Sequence, residues 1–146
     1  MTFLLDVNVV IALIDPTHVS HDIAHDWFAR DGRARWATCP IVENGVIRIV
    51  GNPRYPNTPG SPALAAQILR QFCALPGHQF WPDSASLLDP AFADFAAILT
   101  AAEVTDSYLL ALAAAKGGKL ATLDRRLSTK AVAGGKAARH CIGEGS

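Results

Sequence analysis

The chain predicts a three-layer α/β/α sandwich around a central parallel sheet of four to five strands. Two observations carry this expectation. Short apolar runs of strand length alternate with longer stretches whose apolar residues recur at helical spacing, and strands separated by helices pair in parallel through right-handed crossovers. An acidic residue also follows the first and the fourth of those runs, where open α/β sheets bind ligands outside the carboxyl ends of their strands. At 146 residues, half of them apolar, the chain reads as one domain over 1–146, large enough to bury about two-thirds of its unfolded surface.

Phe3 to Leu5 is a short buried strand, and Val7 to Ile14 continues as an apolar helix that ends before Pro16. Ser20 is an N-cap for a helix running to about Arg30, with Ile23, Ala24, Trp27 and Phe28 on one face and Asp31-Gly32 as its stop. Arg35 to Thr38 is a second strand. Pro40 opens a helix through Val50 that Gly51-Asn52-Pro53 terminates, and Asn52 to Pro62, rich in Pro, Gly and Asn, is a loop. Ser61-Pro62 starts the next helix, whose apolar positions Leu64, Ile68, Leu69, Phe72 and Leu75 follow the helical period. His78 to Trp81 is a third strand. Asp89-Pro90 caps a helix to about Ala102, Thr105 caps another to Lys116, and Gly117-Gly118 closes that one in a left-handed cap. Leu120 to Leu123 is the fourth strand and His140 to Ile142 a candidate fifth.

Four acids stand at chemically informative places in this frame. Asp6 ends the first strand and Asp124 the fourth, so both point into the carboxyl-end crevice. Glu43 lies in the first turn of its helix and Asp106 at the first position of its own, where the helix dipole favours a carboxylate. Singly, Asp106 reads as a helix-start acid, Asp124 as a cap before Arg125-Arg126, and Glu43 as a surface acid. Asp6 resists such a reading, because it interrupts an apolar run from Phe3 to Ile14 and a buried carboxylate there needs a cation or several donors. Clustered carboxylates repel one another unless a hard cation such as Mg²⁺ or Mn²⁺ compensates them, and carboxylate-bound metals most often serve phosphoryl chemistry.

Thirteen basic and thirteen acidic residues cancel, so net charge alone gives no reason to expect a nucleic-acid or membrane partner. Their distribution says more. Lys116 to His140 carries seven bases, among them Arg125, Arg126 and Lys130, against Asp124 alone, whereas Asp83 to Asp106 carries five acids and no base. A basic surface beside an acidic site suits an enzyme acting on a polyanion; a solvated face is the plain alternative. Cys39, Cys73 and Cys141 include no C-x-x-C pair, which argues against structural zinc and a disulfide framework. The longest apolar run, Tyr108 to Ala115, is too short to span a bilayer, so the expected setting is the reducing cytoplasm with no membrane partner.

Four segments carry a family resemblance. Leu4-Leu-Asp-Val-Asn-Val-Val-Ile-Ala-Leu, Glu43-Asn-Gly-Val-Ile-Arg, Thr105-Asp-Ser-Tyr-Leu-Leu-Ala-Leu-Ala and Leu120-Ala-Thr-Leu-Asp-Arg-Arg-Leu resemble the PIN-domain ribonucleases, and more narrowly the VapC toxins of type II toxin–antitoxin pairs. The resemblance runs from Thr2 to about Leu127; Thr129 to Ser146 matches nothing distinctive. It implies a PIN-like fold and a Mg²⁺-dependent endoribonuclease, with Mn²⁺ as a substitute, that cuts tRNA or rRNA, forms a homodimer and is inhibited by a VapB-type antitoxin. It makes Asp6, Glu43, Asp106 and Asp124 the catalytic, metal-binding quartet, with Asp6 and Asp106 the direct ligands and Asn8 the polar residue after the first acid. Arg48, Arg125 and Arg126, with Asn8, are the expected substrate contacts. The dimer surface is expected on the helices after Ser20 and Ser61.

Other classes leave different marks. A receiver-like Mg²⁺-binding signalling domain needs a phosphorylatable Asp after its third strand, which Asp83 could mimic, and a Lys after its fifth, which is missing here. A dehalogenase-type phosphatase needs a second Asp where this chain has Asn8. A catalytically silent PIN module that only binds RNA or a partner is the remaining alternative. His18, His21 and His25 read as a solvated polar face, Trp27, Trp36 and Trp81 as core or interface aromatics, and Gly134-Gly135 as a turn.

Overall fold

Five short strands form one sheet in a computed structural model that describes residues 1–143. The last three residues of the domain expected over 1–146, Glu144 to Ser146, lie outside the described residues. The strands are β1 (Phe3–Leu5), β2 (Trp36–Thr38), β3 (His78–Phe80), β4 (Lys119–Thr122) and β5 (Arg139–Cys141), all parallel in the order β3-β2-β1-β4-β5. Leu4, Leu5, Trp36, Ala37, Leu120 and Ala121 are fully buried, as in a sheet covered on both faces, which is why these strands read as continuous apolar runs and not as alternating ones.

The helices are α1 (Val7–Ile14), α2 (His21–Trp27), α3 (Pro40–Val50), α4 (Pro62–Cys73), α5 (Glu103–Ala115) and α6 (Gly135–Ala138). The chain steps from β1 to β2 to β3 in one direction and then returns to place β4 on the other side of β1. Right-handed crossovers therefore put α1 to α4 on one face and α5 and α6 on the other. The packing agrees: α1 meets α2 and α3, α3 meets α4, and α5 meets β4 and α6. The strand order reverses between β1 and β4, and the crevice opens at their carboxyl ends. No helix among the described residues is long and apolar enough to cross a membrane.

Local signals set most boundaries. Asp6 caps α1, its Oδ1 accepting from Val7 N–H at 2.8 Å, and Ser61 Oγ accepts from Leu64 N–H at 3.2 Å ahead of Pro62 in α4. Gly117, at φ +69°, closes α5. The candidate fifth strand is real, one residue earlier than expected, and Trp27, Trp36 and Trp81 are all core residues.

Three expectations are corrected. No helix follows Asp89-Pro90; apart from the short 3₁₀ turn Phe95–Ala97, that segment is turns and irregular chain up to α5. The Asp89 and Asp94 carboxylates accept from the N–H groups of Ala91 and Ala96, bonds that compete with helix, and with Leu88, Phe95 and Leu99 exposed the segment buries too little apolar surface to favour one. α5 begins at Glu103 and not after Thr105, with Glu103 accepting from Leu99 N–H at 3.0 Å; Asp106 is its fourth residue. Ser20 makes no capping bond and Ile23 is 52% exposed, so the buried face of α2 is narrower than its spacing suggests. Among the histidines, His21 Nδ1 lies 2.7 Å from the Ala12 carbonyl oxygen, tying α2 to α1.

Asp15, which the sequence did not single out, fastens the Asn52 to Pro62 loop to the end of α1. Its buried carboxylate accepts from the Tyr55 hydroxyl, from Asn57 Nδ2 at 2.7 Å and from Thr17 N–H and Oγ1 at 3.0 and 2.8 Å. Burial alone would raise the carboxyl, yet the donors from Tyr55, Asn57 and Thr17 outweigh it and hold the pKa down at about 2. A folded pKa below the unfolded value contributes stability above about pH 4 that is lost as pH falls through about 2. Asp15→Ala is expected to cost about 2 kcal/mol in urea unfolding at neutral pH, with the difference from wild type shrinking in acid; equal stability at neutral pH would mean that the loop is held otherwise.

Candidate active site

Asp6 is both a helix cap and the deepest acid of the crevice, 7% exposed. Because β1 and β4 pair with Leu5 opposite Ala121, the next residues, Asp6 and Thr122, stand side by side. The Thr122 hydroxyl donates to Asp6 Oδ2 at 2.9 Å and accepts from the Asp124 N–H at 3.0 Å, so one fully buried threonine orients the first acid and anchors the backbone of the last. Asp124 Oδ1 in turn accepts from Arg126 N–H at 2.8 Å, which turns the chain directly after β4.

Asp106 approaches the same place from the first turn of α5. Its pKa is pushed up to about 6, first by burial and then by the charges of Asp6 and Asp124. Asp6 is pushed up as well: burial dominates, the bonds from Thr122 and Val7 pull it back in part, and Asp124 pushes it further. No Lys or Arg is among the groups acting on either carboxyl. Three carboxylates thus converge, and among the described residues no Lys or Arg offsets Asp6 or Asp106. That donor set fits a hard divalent cation, for which carboxylate oxygens are the ordinary ligands.

Glu43 occupies the other side of the crevice. From the first turn of α3 its Oε2 accepts from the fully buried Thr38 hydroxyl at 2.7 Å, at the end of β2, and the same hydroxyl lies 2.8 Å from His78 Nε2 in β3. Cys73, the last residue of α4, completes this neighbourhood, its thiol pushed up by burial and by Glu43. Burial pushes His78 down while Glu43 pulls it up. The structure therefore groups three of the four acids by charge and sets the carboxylate of the fourth against β2 and β3. Thr122, Thr38, Cys73 and His78 were not singled out from sequence. The two threonines had one legible signal, a hydroxyl at the end of an apolar strand.

Asn8 is exposed two residues after Asp6, Arg48 is exposed in the last turn of α3, and Arg125 and Arg126 are exposed on the turn beside Asp124. The Arg125 carbonyl accepts from Arg139 Nη1 at 3.2 Å, which ties this turn to β5.

The PIN domain family model matches residues 3–133, and the chain belongs to that family. Within it, the likeness is to the VapC ribonucleases. Ribonuclease VapC39 of Mycobacterium tuberculosis is 44% identical over 134 residues, covering 92% of this chain and 96% of that one. Ribonuclease VapC44 of the same organism is 40% identical over 134 residues, covering 92% and 94%. A crystal structure of VapBC2 from Rickettsia felis bound to a DNA fragment from their promoter shares the fold, with a TM-score of 0.54 at 16% identity over 86% of this chain and 90% of that one. PIN membership replaces the receiver-like reading.

A carboxyl whose folded pKa lies above its unfolded value stabilises the protein below the unfolded value, and that contribution is lost as pH rises through the folded pKa. For Asp106 the window runs from about 4 to about 6. Without metal, Asp106→Asn is expected to be more stable than wild type at neutral pH by about 1–2 kcal/mol, with the gap closing below about pH 4. Thermal melts across that range check this; a wild type more stable than the variant at neutral pH would mean that the carboxylate is already compensated.

Proposed function

We propose that this chain is a divalent-metal-dependent endoribonuclease of the toxin type, acting on tRNA or rRNA and restrained by a VapB-type antitoxin in the cytoplasm. The observation that carries the reading is the convergence of Asp6, Asp106 and Asp124 at the β1/β4 reversal, the first two with no basic group acting on them, in a chain of VapC ribonuclease likeness. The antitoxin is supported by the VapBC2 complex from Rickettsia felis, which shares the fold.

Asp6 and Asp106 would hold Mg²⁺, or Mn²⁺ in its place, directly, with Asp124 and Glu43 completing the site. The cation supplies an activated water and neutralises charge at the scissile phosphate. The protein's own part is orientation: Thr122 fixes the Asp6 carboxylate and the Asp124 backbone together, and the α1 cap bond fixes the other Asp6 oxygen. With water as the nucleophile in place of the ribose 2′-hydroxyl, the products carry 5′-phosphate and 3′-hydroxyl ends. Arg125 and Arg126, beside Asp124, and Asn8 and Arg48, along α1 and α3, would meet RNA phosphates or unstacked bases. A homodimer through α2 and α4 belongs to the same reading, supported by the exposed Ile23 and Leu64.

The test is cleavage of total RNA by the purified chain. Mg²⁺ is expected to support cleavage, EDTA to abolish it and Asp6→Asn to reduce it by at least about a hundredfold while leaving the fold intact. Cleavage by Asp6→Asn at the wild-type rate would remove that residue from the site. No cleavage by wild type under any divalent cation would favour the catalytically silent PIN module.

A further inference from the structure

We propose that Glu43, Cys73 and His78 form a second cation site, selective for a borderline-soft divalent ion such as Zn²⁺, whose occupancy holds Glu43 on the β2/β3 side of the crevice. One ligand atom from each of the three residues lies within 4.8 Å of the other two, and all three residues are half-buried. They come from the first turn of α3, the last residue of α4 and the first residue of β3, so the backbone presents them on regular elements.

The donor set selects the ion. A thiolate, an imidazole and a carboxylate are the ligands of Zn²⁺ and its neighbours, whereas Mg²⁺ favours oxygen alone and is served by the aspartates. Thr38 supplies the outer support that such sites use: its buried hydroxyl bonds Glu43 Oε2 at 2.7 Å and His78 Nε2 at 2.8 Å, keeping two of the donors together. Access comes from a separate feature. A pocket of about 230 Å³, lined by Glu43, Ile47, Ala66, Leu69, Arg70 and Cys73, opens on two of the three donors and leaves room for water as a fourth ligand.

The consequence for the aspartates follows from Glu43 being the shared residue. An ion bound with Cys73 and His78 would keep the glutamate from joining Asp6, Asp106 and Asp124 around Mg²⁺, so the two cations would oppose each other. This coupling rests on the metal-nuclease reading; the site itself does not.

The experiment uses the full chain, reduced and stripped of metal, titrated with Co²⁺ and then Zn²⁺. A thiolate-to-cobalt charge-transfer band saturating at one ion per chain is expected, displaced by Zn²⁺, absent in Cys73→Ser and retained in Asp106→Asn. Zn²⁺ affinity is expected to fall about tenfold or more in Cys73→Ser and His78→Gln. Zn²⁺ should weaken calorimetric Mg²⁺ binding several-fold in wild type but not in Cys73→Ser. No band, or an equal band in Cys73→Ser arising from Cys39 or Cys141, would overturn the site. Equal antagonism of Mg²⁺ in both proteins would overturn the role of Glu43. The band without RNA cleavage by wild type under any cation would uphold the site and count against the nuclease reading.

Discussion

The bond from Thr122 to Asp6 joins the two strands whose ends carry the first and last acids of the crevice. It exists because β1 and β4 are neighbours, and they are neighbours because the chain reverses direction across the sheet after β3. The same threonine accepts from the backbone of Asp124, so the register of one strand pair sets the position of two acids separated by most of the chain. α5 then brings Asp106 to them, so that a buried, a half-buried and an exposed carboxylate meet, with no basic side chain acting on the two that are shifted. Such a cluster is held together against its own repulsion by the packed sheet beneath it, and it is the cost of that repulsion that favours a divalent cation.

Much of this was legible in the sequence because buried parallel strands leave an unambiguous trace. Phe3 to Leu5 and Leu120 to Leu123 read as short buried runs each followed by an acid, and Asp6, which interrupts an apolar stretch, is hard to explain as surface chemistry. Pro40, Ser61 and Gly117 marked their helix ends through fixed backbone preferences. The misreadings have a common cause. Asp89-Pro90 and Thr105 are helix-start residues by type, but their neighbours bury too little apolar surface, or a better start lay just upstream, and local side-chain bonds decided the outcome. Sequence spacing also cannot report side-chain direction. Glu43 falls where an acid of the quartet is expected, while its carboxylate turns to Thr38 because a buried hydroxyl is within reach.

The crevice consequently has two chemically different sides. Oxygen donors from aspartates gather along β1 and β4; along β2 and β3 a carboxylate meets a thiol and an imidazole. Glu43, on the first turn of α3, belongs to the β2/β3 side, where Thr38 holds its carboxylate. Away from the crevice, Asp15 shows the other fate of a buried acid, with enough donors to stay ionised and to act as a fastener for the loop after α3.

The dependence of the aspartate cluster on a cation can be read at a single group, Asp106. It is tested most directly by following the Asp106 carboxyl carbon by NMR through a pH titration, first without metal and then with saturating Mg²⁺. A midpoint near 6 is expected in the metal-free protein, with the carboxyl remaining ionised well below that pH once Mg²⁺ is bound. An ordinary midpoint near 3.8 that Mg²⁺ does not move would contradict it.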